Sequence, residues 1–309
     1  MERRQFIMAS AAAGAAIILP NWSKAEIANA DPRFRLSLAQ WSFHKAIFSG
    51  ALDPMDFAKK SQSMGFEGIE YVNTLYNQFL SKYSNANEGV MELGKELLKR
   101  SEDHGMVNVL IMIDAQGDLA SQAKGKRDQA VDMHKKWVDL AAFLGCHSIR
   151  VNLNGAKTLD QWKEASVDGL KMLGEYGKEN NINILVENHG GFSSNGAYLA
   201  EVMDMVGADN VGTLPDFGNF CLKYGTNGCE EEYDKYKGME ELMRHAKAVS
   251  AKSHNFDGDG NETGIDYPRI MEIVKKSSYS GFIGVEYEGS VLTEEEGIAA
   301  TRDLLKKLF

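Results

Sequence analysis

The amino-acid sequence predicts an α/β protein, a single (β/α)₈ or TIM barrel, and two observations predict it. Short apolar runs alternate with amphipathic helical segments, eight of each, from residue 35 to the last helix. The chain of 309 residues also has room for one such barrel, which typically takes about 250 residues. An open, doubly wound sheet is the alternative. It would normally show a glycine-rich phosphate turn after the first strand, where this chain has Trp41-Ser42-Phe43-His44.

In the first half of the chain, each predicted helix has a recognisable start or end. Asp53-Pro54 provides a cap and an N1 proline, and Gly65, Gly105 and Gly145 follow the ends of the first three helices. The expected strands are residues 35–42, 66–71, 107–113 and 148–153, and the expected helices are about 53–65, 88–104, 130–144 and 160–177.

The second half repeats the pattern, with one long loop before the helix near residue 239. The last helix has three glutamates in its first turn and two lysines in its last, which complements the helix dipole. The expected strands are residues 183–187, 211–216, 248–253 and 282–286, and the expected helices are about 195–206, 239–246, 268–276 and 294–307.

The amino terminus has the features of an export signal. Arg3-Arg4 precedes a charge-free stretch from Phe6 to Pro20, and Ala28-Asn29-Ala30 is a small-x-small cleavage site. This pattern predicts a twin-arginine signal peptide over residues 1–30, a mature barrel over residues 31–309 and a periplasmic location. An uncleaved membrane anchor is the alternative, but the apolar run is shorter than the roughly 20 residues of a span. We therefore expect no stable membrane insertion after cleavage.

The composition restricts the possible partners. The net charge is −10, and no Lys/Arg-rich run is present, so nucleic acid is an unfavourable ligand. Three cysteines are too few for a disulfide scaffold. Cys221 and Cys229 flank one loop, and an exported chain could oxidise them, but the sequence leaves this pairing open.

Metal-type ligands lie at the ends of four late strands. Apolar strand residues lead to Glu187, Asp216, His254 and Glu286 in turn. A buried carboxylate is costly unless it is paired or binds a metal, and the carboxyl ends of barrel strands share one face. We therefore expect one divalent ion at this face. A set dominated by carboxylates favours Mn²⁺ or Mg²⁺, with Co²⁺, Fe²⁺ and Zn²⁺ as further possibilities.

Three motifs at these strand ends resemble the xylose isomerase-like barrel family, the sugar isomerases and epimerases related to tagatose epimerase. They are residues 187–190 (ENHG), 214–219 (LPDFGN) and 284–288 (GVEYE). The resemblance implies Glu-Asp-His-Glu metal ligation by Glu187, Asp216, His254 and Glu286, with both glutamates also moving protons.

Two features depart from the resemblance. Ser250 could occupy the position where many relatives have the histidine ligand. Because residues 250, 252 and 254 share one face of a strand, we favour His254 as the ligand. Gly260 and Asn219 stand where epimerases have Arg and often His, which indicates that the substrate is not handled as a simple ketohexose.

Further candidates come from the same strand ends. Lys252 and His189 could act as acid, base or oxyanion partner. Five residues are expected to bind substrate or support the pocket, namely His44, Glu70, Arg150, Asn152 and Asn219.

The preferred function is a metal-dependent sugar isomerase or epimerase that works through an enediolate. The same intermediate allows β-elimination, so a 3-keto-glycoside lyase or hydratase is the runner-up. An exported, non-catalytic sugar-binding barrel is a third possibility. An endonuclease for abasic sites shares this fold, but the acidic composition disfavours it. The sequence does not decide whether the barrel forms a homo-oligomer.

Overall fold

The computed structural model describes residues 33–226 and 228–309, so the predicted signal peptide over residues 1–30 lies outside the described residues. In the described part, eight parallel strands form one sheet around which the helices pack. They are β1 (Phe34–Ala39), β2 (Gly68–Val72), β3 (Val107–Met112), β4 (Ser148–Val151), β5 (Asn183–Glu187), β6 (Val211–Leu214), β9 (Val249–Ser253) and β10 (Gly281–Tyr287).

The order of the strands is that of a barrel. Neighbours run β6-β5-β4-β3-β2-β1-β10-β9, and each ladder between them is parallel. Two parallel bridges, Thr213 with Ala246 and Asp216 with Ser250, connect β6 to the chain around β9. The (β/α)₈ prediction is confirmed, and the closing seam lies beside Asp216.

The helices occupy the connections between the strands. Their ends follow ordinary capping rules: Gly145 and Gly207 adopt positive φ after two of them, and Thr293 with Glu296 forms a capping box at the start of the last. They are α1 (His44–Phe48), α2 (Phe57–Ser63), α3 (Asn77–Leu80), α4 (Ala86–Asp103), α5 (Lys124–Leu144), α6 (Leu159–Glu179), α7 (Gly196–Val206), α8 (Lys235–Leu242), α9 (Tyr267–Lys276) and α10 (Glu294–Leu308).

The segment expected as a long loop before α8 instead contains an antiparallel hairpin, formed by β7 (Cys221–Gly225) and β8 (Gly228–Glu232). A disulfide between Cys221 and Cys229 joins its strands, which settles the pairing left open by the sequence. The hairpin was not predicted because its strands lack the alternation of a half-buried strand, and β8 is exposed along its length.

The barrel wall is apolar and fully packed. Ile69, Leu110, Ile149, Ile184 and Val285, from five strands, are all inaccessible to solvent. In such apolar surroundings, a buried charged side chain costs free energy unless it is paired or binds an ion. In the described residues, no helix is long and apolar enough to cross a membrane.

Candidate active site

Three carboxylates meet at the carboxyl ends of the barrel strands. Glu187 is the last residue of β5, Asp216 follows β6, and Glu286 lies near the end of β10. One oxygen of each lies within 4.8 Å of one oxygen of each other, and all three side chains are buried. These residues were predicted at the same face, and the structure brings them into one cluster, called the carboxylate cluster below.

Glu187 is held from two sides. Its Oε1 accepts a hydrogen bond of 3.0 Å from Asn219 Nδ2. Its Oε2 lies 2.9 Å from Arg150 Nε, yet neither atom has a well-aligned hydrogen-bond partner. The Glu187 carboxylate is therefore charge-compensated but keeps one oxygen free to accept a further bond.

Asp216 is fixed by the seam of the barrel. Its backbone N–H donates to Asn188 Oδ1 at 2.8 Å, and Asn188 Nδ2 donates back to the carbonyl of Asp216 at 3.0 Å. The side-chain Oδ1 accepts the backbone N–H groups of Gly218 and Asn219, both at 2.8 Å. Asn188 thus joins the ends of β5 and β6 and sets the position of the Asp216 carboxylate.

Glu286 faces two residues of β9. Ser250 Oγ donates to Glu286 Oε2 at 3.1 Å and lies 2.8 Å from Asp216 Oδ2, while Lys252 Nζ donates to Glu286 Oε1 at 3.2 Å. Burial raises the pKa of Glu286 to about 8, against the opposing effect of Lys252. Burial also raises the pKa of Asp216.

The charge on Lys252 is strongly stabilised. Burial by itself would lower the pKa of its ammonium, but Glu286, Asp216 and Glu288 outweigh burial and raise that pKa well above the ordinary value. Glu288, two residues after Glu286 and directly after β10, has its pKa lowered to about 2 because Lys252 overcomes the cost of burial. Lys252 is therefore an ammonium ion at any pH near neutrality.

His254, predicted as the fourth ligand, is not part of the carboxylate cluster. β9 ends at Ser253, one residue before His254, and the backbone N–H of His254 donates to Glu262 Oε1 at 3.2 Å. The inward positions of β9 are Ser250 and Lys252. The alternation that made His254 a candidate stops where the strand stops.

A second charged group lies beside the cluster. Arg150 Nη1 donates to Asp114 Oδ1 at 2.8 Å, and Asn152 Nδ2 donates to the same oxygen at 2.9 Å. Burial would raise the pKa of Asp114, but Arg150 dominates and lowers it. Arg150 thus connects Asp114 to Glu187 and is a positioning residue in this structure.

Glu70, on β2, is a buried acid outside the carboxylate cluster. The side chain is buried, and Oε1 accepts a hydrogen bond from Ser37 Oγ at 2.5 Å. Gly284 makes room for it, because a Cβ there would lie 2.5 Å from a Glu70 oxygen. Burial raises the pKa of Glu70 to about 7. Glu187 raises and Arg150 lowers this pKa as well, so Glu70 lies within electrostatic reach of the carboxylate cluster.

Replacing Glu70 by Gln is expected to change how stability depends on pH. Because the pKa of Glu70 is higher in the folded state, binding of a proton there stabilises the fold. This contribution is fully present below the unfolded-state pKa of 4.5 and is lost as pH rises through the folded-state pKa of about 7. The stability of Glu70→Gln relative to wild type should therefore rise by about 3 kcal/mol between pH 4.5 and 7.5. Urea unfolding at both pH values measures it. An unchanged difference would contradict the buried, proton-binding role.

The remaining predicted residues lie around the mouth. His189 is exposed, and its backbone N–H donates to Ser193 Oγ at 3.1 Å. His44 is half-buried, and its ring stacks on Trp41 with centroids 4.7 Å apart. Asn219 contacts Glu187 directly, as given above. None of the carboxylate cluster contacts involves His44 or His189.

Three residues that contact the cluster or its charged neighbours were not in the predicted set. Asp114, two residues after β3, could have been found, because it follows an apolar strand just as the other acids do. Asn188 belongs to the same sequence motif as Glu187, residues 187–190. Its hydrogen bonds to Asp216 form between two different strand ends and could not be predicted from the motif. Glu288 was part of the third motif, and only its contact with Lys252, 3.0 Å long, shows its role.

The donor set of the carboxylate cluster fits a divalent ion. Three carboxylates converge, Glu187 retains an oxygen without a hydrogen bond, and the acids near the cluster outnumber the buried cations Arg150 and Lys252. Excess buried negative charge is relieved by a cation or by protons. The cluster can therefore hold a metal ion, with oxygen ligands that suit a hard cation.

In (β/α)₈ barrels, active sites lie at the carboxyl ends of the strands, and the three buried carboxylates of this chain meet there. The model of the xylose isomerase-like TIM barrel family matches residues 58–308 of the chain. The chain therefore belongs to the xylose isomerase-like TIM barrel family. Among curated protein sequences, none matches significantly.

Several solved structures are similar in fold. A D-psicose 3-epimerase crystallised with D-fructose has a TM-score of 0.65 at 14% identity, covering 89% of this chain and 99% of that one. A 3-keto-D-glucoside 4-epimerase from E. coli has a TM-score of 0.62 at 13% identity, covering 82% and 94%. The IOLI protein with a bound zinc atom has a TM-score of 0.64 at 15% identity, covering 89% and 99%. At these identities the similarity establishes the fold alone.

Proposed function

We propose that the chain is a divalent-metal-dependent isomerase or epimerase of keto-sugars that works through an enediolate. The observation that carries the proposal is the meeting of Glu187 and Glu286 with Asp216 in one buried cluster. The similarity in fold to a D-psicose 3-epimerase and a 3-keto-D-glucoside 4-epimerase supports a keto-sugar as the substrate class.

The two glutamates would carry the proton. They stand on β5 and β10, which β6 and β9 separate in the barrel, so they would approach a bound sugar from different strands. One would remove the proton beside the carbonyl, and the other would return it from its own side, which inverts the carbon. Return to the neighbouring carbon would give isomerisation. The pKa of about 8 makes Glu286 a stronger base than an ordinary glutamate.

The other residues of the site would position and stabilise these groups. Arg150 and Asn219 hold the Glu187 carboxylate, and Lys252 adds positive charge where the substrate oxygen becomes negative. Glu187, Asp216 and Glu286 would hold the metal ion, which would polarise the carbonyl and acidify the neighbouring C–H. Three carboxylates favour Mn²⁺, with Mg²⁺, Co²⁺, Fe²⁺ and Zn²⁺ as alternatives.

A second candidate function is elimination from a 3-keto-glycoside, and the pair Lys252–Glu288 favours it. Lys252 is buried against the carboxylate cluster, whereas the side chain of its partner Glu288 is 28% exposed, so the pair connects the cluster to the solvent-accessible side of the site. The Lys252 ammonium, which carries the proton of this pair, could protonate a leaving oxygen after the same C–H bond is broken. Addition of water to the product would complete a hydratase reaction.

Incubation with free keto-sugars and with 3-keto-glycosides in deuterated water tests these functions. Deuterium incorporated without cleavage supports an isomerase or epimerase, and a released aglycone supports the lyase. Full turnover after chelation of divalent ions would overturn the metal-dependent mechanism for either reaction. Binding of sugar with neither exchange nor cleavage would support a non-catalytic sugar-binding barrel.

We also propose that the chain is exported by the twin-arginine route and cleaved near Ala30. Arg3 and Arg4 before the apolar stretch support this proposal. Amino-terminal sequencing of periplasmic protein should begin close to residue 31, and Arg3→Lys/Arg4→Lys should leave uncleaved chain in the cytoplasm. Equal export of that variant would argue against the route.

A further inference from the structure

β9 places a protein cation next to the carboxylate cluster. The Lys252 side chain is 3% exposed, and its Nζ lies 3.2 Å from Glu286 Oε1 and 3.8 Å from Asp216 Oδ2. A third carboxylate, that of Glu288, also contacts the ammonium, with Oε1 at 3.0 Å from Nζ. Two of the three acids that could hold a metal are therefore already partly neutralised by Lys252.

The same strand leaves the cluster without a nitrogen ligand. Ser250 Oγ lies 2.8 Å from Asp216 Oδ2 and 3.1 Å from Glu286 Oε2, so a hydroxyl stands between the two carboxylates. His254 lies outside the cluster, and within the described residues the grouped ligand atoms are all carboxylate oxygens. Zn²⁺ favours sites with His or Cys ligands, whereas Mn²⁺ and Mg²⁺ accept oxygen ligands alone.

We propose that Lys252 is a resident cation of the site, which competes with the divalent ion for Glu286, and that Glu288 retains the ammonium beside the site when the metal is bound. A divalent ion must enter against the repulsion of a nearby positive charge, and the low-dielectric surroundings strengthen that repulsion. The site consequently binds its metal weakly and reversibly, and it favours Zn²⁺ over Mn²⁺ or Mg²⁺ less than an imidazole-containing site would.

This inference rests on the metal site of the proposed function but not on its sugar chemistry. Isothermal titration of Mn²⁺ into the full chain at pH 7.5 tests it without any turnover measurement. Lys252→Met removes the ammonium and keeps much of the side-chain volume. It is expected to tighten Mn²⁺ binding about 10- to 100-fold, as loss of a like charge at this distance implies.

A charge-matched variant separates competition from net charge. Lys252→Met/Glu288→Gln removes one positive and one negative charge, so the formal charge of the site equals that of wild type. It should still bind Mn²⁺ about tenfold or more tightly than wild type, because the competing ammonium is gone. Glu288→Gln alone should weaken binding, since Lys252 then has only the cluster carboxylates as partners. Circular dichroism identifies any variant that fails to fold.

The missing nitrogen ligand is tested by Ser250→His. Addition of an imidazole between Asp216 and Glu286 is expected to raise Zn²⁺ affinity about tenfold or more, and to raise Mn²⁺ affinity less. The inference is overturned if the charge-matched variant binds Mn²⁺ within twofold of wild type, or if wild type already binds Zn²⁺ as tightly as Ser250→His. The deuterium experiment would still decide the proposed function in either case.

Discussion

Glu286→Gln is expected to lower the rate of deuterium exchange into a keto-sugar about 10²- to 10⁴-fold, the range for loss of a general base. Gln keeps the shape of the side chain and can still accept a hydrogen bond from Ser250, which lies 3.1 Å from Glu286 Oε2 in the wild type. It cannot take up a proton. The loss should therefore appear in kcat, with a much smaller effect on folding.

The dependence of this rate on pH gives a second readout. A glutamate accepts a proton only as a carboxylate, and burial raises the pKa of Glu286 to about 8. Exchange by the wild type is thus expected to fall as pH decreases below about 8. Added Mn²⁺ should move the fall to lower pH, because nearby positive charge favours the carboxylate.

A matched control is available on the surface. Glu272 lies exposed on α9, away from the strand ends, so Glu272→Gln makes the same chemical change without touching the cluster. It should leave both the exchange rate and its pH profile unchanged. If Glu286→Gln retained more than about a tenth of the wild-type rate, Glu286 would not be the proton-transfer group and the proposed mechanism would fail.

The acids of the cluster were predictable because their position along each strand and the geometry of a barrel lead to the same conclusion. Glu187 and Glu286 each end an apolar run, and in a barrel all such ends lie at one face. That rule needs only the order of strands and helices along the chain. It does not need the side-chain packing that decides exact distances, which explains why the cluster was predicted before any geometry was known.

Whether His254 joins the three carboxylates was not predictable by the same rule. The choice between Ser250 and His254 depends on where β9 ends, and strand ends are the least determined feature of a sequence. The bridge between Asp216 and Ser250 closes the barrel, and the inward-facing side chains of β9 are then those of Ser250 and Lys252. The strand ends at Ser253, one residue before His254. This closure is a contact between distant segments that periodicity does not encode.

Arg150 illustrates a third situation, in which the sequence indicates the right residue but not its role. Its place in β4 suggested either substrate binding or core support. The structure shows Arg150 ion-paired with Asp114 and Glu187 at 2.8 and 2.9 Å, with its side chain 6% exposed. Asp114 was unpredicted, so the ion-pair network could not be drawn from the sequence even though each member stands at a strand end.

Arg150→Met is consequently expected to destabilise the fold by about 3–5 kcal/mol at pH 7.5, because it leaves buried carboxylates without a counter-charge. The paired arginine lowers the pKa of Asp114, a contribution present above the ordinary carboxyl pKa and lost as pH falls through the lowered value. The deficit of the variant should therefore shrink at acidic pH, where the carboxylates take up protons. Urea unfolding at pH 7.5 and at pH 3, which is below the ordinary Asp pKa of 3.8, measures both effects.

Two further variants separate loss of charge compensation from loss of packing. Arg150→Met/Asp114→Asn removes one of the stranded charges and should recover part of the stability, whereas a packing defect would persist unchanged. Arg244→Met breaks an exposed ion pair with Asp204, whose partners are 59% and 58% exposed, and should cost less than about 1 kcal/mol. A cost for Arg150→Met as small as that of Arg244→Met would mean that Glu187 does not depend on Arg150, and the electrostatic arrangement of the cluster would need another source.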